Sequence, residues 1–116
     1  MKKINITSQQ THFIGCWNLE NNKLCNEITN FFEHNKNLQK PGVSGMGKDP
    51  KIKKTTDIAV HPNDLKKPKF EILKQYISEL HKCFLDYQNQ WPFLKTMLKT
   101  VYVPSFNIQK YSRGGH

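Results

Sequence analysis

Residues 105–116 read "SFNIQKYSRGGH". The first part alternates. Side chains of an extended chain point to opposite faces at each step, so Phe106, Ile108 and Lys110 share one face and Asn107, Gln109 and Tyr111 the other. One face carries two core-type residues; the other is polar and ends in a phenol. Such a segment is either an ordinary half-exposed strand or the wall of a polar pocket. Gly114 and Gly115 follow, and glycine permits positive φ and close backbone approach.

Upstream lies the strongest periodic signal. Phe70, Leu73, Ile77, Leu80, Phe84, Tyr87 and Trp91 are spaced 3, 4, 3, 4, 3, 4. That spacing predicts a long amphipathic helix over 68–91. Pro68 suits its first turn and Pro92 ends it. Ile72, Tyr76 and Cys83 widen the stripe, as a helix laid on a sheet needs. A coiled coil fits less well, with few paired charges and about three heptads. A second helix is predicted over 21–35, where Leu24, Ile28, Phe31 and Phe32 fall on one face and Asn21 or Asn22 can cap the start. "TTDIAVH" reads as a short strand ended by Pro62. Residues 1–18 read as a short strand or extended lead-in, and "PFLKTML" at 92–98 as a short helix. The stretch 36–54 reads as a loop that builds no packed element, since it holds three glycines, two prolines and few large apolar residues.

The chain has 116 residues, enough for one small domain. Apolar residues make up 36%, so any core is thin. Net charge is +9. The basic residues are 17 Lys and one Arg, beside 11 Asn, spread along the chain rather than gathered on a stripe. Bidentate phosphate and base-edge recognition prefers Arg, so nucleic acid is not the expected partner, and a small basic nucleic-acid-binding or helix-mediated interaction module stands as the alternative function. Cys16, Cys25 and Cys83 form no metal-ligand spacing; Cys25 and Cys83 fall on apolar helix faces and read as buried thiols. No apolar run reaches membrane length, and no signal peptide is apparent, which predicts a cytoplasmic protein.

"GVSGMGKD" at 42–49 nearly spells a phosphate loop. Asp49 stands where Ser or Thr would hold magnesium, and no apolar strand precedes it, so nucleotide binding is not expected. A basic mobile loop, serving as a substrate lid, fits better. His12, His34, His61 and His81 lack partners at metal-ligand spacing. Thr56 and Asp57, at a strand start, are candidate substrate contacts or turn stabilisers.

"NIQKYSRGGH" resembles the entry to the catalytic barrel of iron(II)- and 2-oxoglutarate-dependent oxygenases, in their prolyl 4-hydroxylase-like branch. There a strand with a Q-x-Y pattern runs into a Gly-rich turn; Gln109, Tyr111, Gly114 and Gly115 match. The upstream order is similar too: lead-in, helix, loop, the "TTDI" strand, then the long helix. The resemblance implies an α+β chain holding helices and the first strands of a double-stranded β-helix, or jelly roll. Residues 1–116 would be the N-terminal part of one oxygenase domain, with a helical support region at 19–92 and a first barrel strand at about 104–111. It implies Fe(II) and 2-oxoglutarate as cofactors, with ascorbate as a further candidate, and a peptidyl or small-molecule substrate for hydroxylation. Tyr111, Gln109 and Asn107 would face the cosubstrate. The family's H-x-D/E iron ligands come a few residues after the glycines, on the next strand. His116 therefore does not match a ligand, and the chain alone is expected to be inactive and to bind iron poorly.

Overall fold

Leu24, Phe31 and Phe32 are buried on one face of α1 (Asn22–His34), with Ile28 partly buried against the same core. The computed structural model describes residues 1–6 and 13–116; His12 lies outside the described residues. The Asn21 side chain accepts from the Leu24 N–H at 3.0 Å, satisfying one orphan donor of the first turn. At the other end Asn35 donates to the Phe31 carbonyl at 2.6 Å and Gln39 to the Phe32 carbonyl at 2.7 Å. Both side chains close off carbonyls that the helix cannot satisfy itself.

Gln39 belongs to β3 (Gln39–Pro41), which pairs antiparallel with β4 (Thr56–Val60). β4 also pairs antiparallel with β5 (Phe106–Lys110), giving the order β3-β4-β5. Cross-strand neighbours include Lys40 with Asp57, Asp57 with Gln109, and Ala59 with Asn107. Ile58 and Val60, fully buried, pack on α1 together with Phe70 and Leu73. Phe106 and Ile108 pack against this core and stay partly buried.

Pro68–Phe70 forms a 3-10 turn, and α2 (Glu71–Gln90) follows. Only the first half of its apolar stripe enters the core. Leu73 is 1% exposed, whereas Leu80 is 49% exposed. Ile77, Leu80 and Phe84 instead line an open apolar groove of about 620 Å³ with Val101–Pro104. The end of α2 holds a second, two-stranded antiparallel sheet of β1 (Lys2–Ile4) and β2 (Cys16–Asn18). The Trp17 indole donates to Asp86 at 2.7 Å, and the Tyr87 phenol to the Phe13 carbonyl at 2.7 Å. A Cβ on Gly15 would fall 2.2 Å from the Trp17 ring, so only glycine lets that ring fold back. α3 (Phe93–Met97) follows α2 directly.

The chain is thus α+β, with two small antiparallel sheets and no closed barrel among the described residues. No helix among them is long and apolar enough to cross a membrane. Two expectations need correction. Cys25 is exposed, because it sits one residue beyond Leu24 at the margin of the buried stripe; Cys83 is buried as expected. The stretch 36–54 is not all loop: it holds a 3-10 turn at Lys36–Leu38, then β3, which completes the sheet.

Candidate functional site

The β3-β4-β5 sheet has two unlike faces. Lys110 pairs with Glu33 on α1, which marks its face as the inner one. Thr56 lies opposite Lys110 in register, so it also points inward. Lys40, Asp57, Ala59, Asn107 and Gln109 occupy the outer face by alternation. Thr56 and Asp57, the paired substrate-contact candidates, are therefore on opposite sides of the sheet.

Asp57 is the centre of the outer face. It is only 7% exposed. One oxygen accepts from the Thr55 hydroxyl at 2.7 Å, the other from the Lys53 ammonium at 3.0 Å. The Gln109 amide reaches the latter oxygen at 3.5 Å, and the Tyr111 hydroxyl donates to the Gln109 carbonyl oxygen at 3.0 Å. A chain of bonds thus runs from a shielded ion pair to the strand's exposed end. A buried carboxylate needs such partners, since an uncompensated one costs several kcal/mol. The backbone is fitted around it: a Cβ on Gly42 would lie 2.0 Å from the Thr55 hydroxyl and 3.2 Å from Asp57.

Asn107, Gln109 and Tyr111 are all exposed. Beside them Lys40, Val43, Asp57, Ala59, His61 and Asn107 border a shallow trough of about 430 Å³, with the small Ala59 as its floor. His61 Nδ1 is 2.9 Å from the Ser105 hydroxyl at one end. At the other end the chain turns at Gly114, with φ of +78°, and folds onto residues 51–54. His116 donates from Nε2 to the Lys51 carbonyl at 2.8 Å. A side chain on Gly115 would meet the Lys54 carbonyl at 2.9 Å, so this docking also requires glycine.

No family model matches the chain, and neither does any curated protein or solved structure.

The donor set can be tested against the implied cofactors. No three His, Cys, Asp or Glu side chains gather into a metal-binding group among the described residues. His34 is bonded to its own helix through the Asn30 carbonyl at 2.7 Å. These residues do not fit iron. The Tyr111 hydroxyl already donates to Gln109, so on the outer face the Asn107 amide and Lys40 are the donors left for an organic acid. Lys53 and Thr55 were not singled out from sequence, although a signal existed. Residues 53, 55 and 57 share one face of an extended chain, so "KKTTD" encodes the ion pair once β4 is continued upstream.

Proposed function

We propose that this chain forms the cosubstrate-facing N-terminal part of an iron(II)- and 2-oxoglutarate-dependent oxygenase of the prolyl-hydroxylase-like branch. The reading rests on one observation. The edge strand β5 carries Asn107 and Gln109 outward, Tyr111 follows it and bonds Gln109 in a network anchored on Asp57, and the chain then turns with positive φ at Gly114. In this reading the β3-β4-β5 sheet is the opening of a jelly roll, and α1 and α2 support it from behind. The Asn107–Gln109–Tyr111 face meets the cosubstrate and a peptidyl or small-molecule substrate. Iron is held by chain other than the residues described, and no step through it is assigned to them. Three free thiols fit a reducing, cytoplasmic setting.

Chemical-shift mapping tests the reading. Titrating the ¹⁵N-labelled chain with 2-oxoglutarate should perturb the Asn107 and Gln109 side-chain amides and the backbone of 107–111. Tyr111→Phe should weaken that response several-fold. Turnover of 2-oxoglutarate by the 116-residue chain with added iron should stay at background. Perturbations confined to the α1 face or the apolar groove, or robust turnover by this chain, would contradict the proposal.

A further inference from the structure

Four lysines on the helices and short turns form ion pairs, while Lys66, Lys69 and Lys74 form none among the described residues. Lys23 pairs with Glu27, Lys36 with Glu33, Lys67 with Asp64 and Lys82 with Glu79. Cations without partners also collect in the loop that closes beside the outer sheet face. Lys40, Lys48, Lys51, Lys54 and Arg113 make no ion pair or side-chain hydrogen bond with any described residue. The carboxylates of that region, Asp57 and Asp49, form no ion pair with any of these five cations. Asp57 holds Lys53 and Thr55, and Asp49 accepts the Lys51 backbone N–H at 2.9 Å.

Four of these five cations lie within residues 40–54, and the fold brings the distant Arg113 turn to them. Lys40 stands opposite Asp57 in the sheet. The Gly42 N–H donates to the Thr55 carbonyl at 2.9 Å, closing the base of the loop. His116 and Gly115 seat the Arg113 turn on Lys51 and Lys54. Beside this fringe the Tyr111 side chain is about half exposed, with the Asn107 and Gln109 amides along the same strand. Uncompensated like charges repel one another, and an anionic partner relieves that repulsion.

The chemistry favours a phosphate chain with unstacked bases. Lysines meet phosphates as separate point charges and need no bidentate geometry. An exposed aromatic ring offers a stacking surface to any base, and a basic border tracks the backbone. Amides on an open sheet face can bond the base edges that a single strand leaves free.

We propose that the outer face of the β3-β4-β5 sheet and its lysine fringe bind single-stranded nucleic acid. The phosphates lie along Lys40, Lys48, Lys51, Lys54 and Arg113, and one base stacks on Tyr111. This surface follows from charge and geometry alone and stands whether or not the oxygenase reading does.

The test is fluorescence anisotropy with labelled dT20 and U20, using the 116-residue protein. Five phosphate contacts predict a log–log salt slope of about −3.5, or a loss of about 100-fold in affinity between 50 and 200 mM salt. A triple variant, Lys48→Glu, Lys51→Glu and Lys54→Glu, should abolish binding. A control triple, Lys23→Glu, Lys69→Glu and Lys82→Glu, makes the same change in net charge and should stay within about threefold of the parent, by the same counting of phosphate contacts. Tyr111→Ala should weaken dT20 by at least about fivefold while leaving heparin binding unchanged. Circular dichroism checks that each variant is folded. Equal losses in both triples would reduce the effect to net charge and overturn the proposal. So would poly-glutamate competing as well as dT20 at equal charge, which would point to an acidic protein instead. Stronger binding of U20 than dT20 assigns the natural ligand as RNA, and the reverse as single-stranded DNA; no binding of either at 50 mM salt overturns the surface.

Discussion

Asp57 decides whether the outer face holds its shape. Its shielded carboxylate satisfies Lys53, Thr55 and Gln109 at once, and through Gln109 it sets the hydrogen bond of Tyr111. Breaking a fully buried pair from one side costs about 3–5 kcal/mol. Here the Lys53 side chain is 19% exposed and that of Asp57 9%, so solvent screens part of it. Asp57→Asn is expected to cost about 2 kcal/mol in urea unfolding, with Lys53 left unpaired. Gly42→Ala should cost about 1–3 kcal/mol, because its methyl overlaps the Thr55 hydroxyl. A Gly42→Ala protein as stable as the parent would show that the turn relaxes freely. Glu33 sets a different test, one of pH. Hydrogen bonds from Lys110 and Lys36 hold its carboxyl at about 2, below its ordinary 4.5. A depressed folded-state value means the contribution is present above about 4.5 and is lost as pH falls towards 2. The melting temperature should fall across that window, and Glu33→Gln should flatten the fall. Because the Glu33 side chain is partly exposed, added salt should shrink the difference between the two proteins.

At the scale of elements, the two long helices were legible because burial on a helix imprints a 3.6-residue period. Leu24, Phe31 and Phe32 follow it, and α1 begins one residue after its Asn21 cap. β4 and β5 were legible from alternation. β3 was not: "QKP" has no apolar alternation, since one of its side chains caps α1 and another stands on the polar face. The lysine fringe was hidden for a related reason, because only loop closure and the Gly114 turn bring residues 40, 54 and 113 together. Periodicity also overstated α2. It marks which residues share a face, not how far along the helix a partner extends. Leu73 and Leu80 belong to one stripe, yet one is sealed against Ile58 and Val60 and the other borders an open groove. Leu73→Ala should therefore cost about 3 kcal/mol, and Leu80→Ala less than about 1 kcal/mol. Equal losses in chemical unfolding would mean that the groove is filled in solution.

For the whole molecule, the consequence is an asymmetric sheet. β3 and β5 are its two borders, each pairing only with β4. A sheet edge with unpaired N–H and C=O groups invites another strand. The β3 edge is blunted, being three residues long and ending on Pro41, which has no N–H to offer. The β5 edge is five residues long, with partly buried Phe106 and Ile108 and no proline. Association should therefore run through β5, as antiparallel pairing of two copies. Light scattering should show a mass that rises above 13.6 kDa with concentration. Asn107→Lys places a charge on the exposed side of that strand and should lower the association, since lysine on an edge strand opposes pairing. The outer face of β3 already carries a lysine, Lys40, and the β3 edge is blunted, so Lys40→Asn should raise association only slightly. A monomer at every concentration would mean that the β5 edge is shielded.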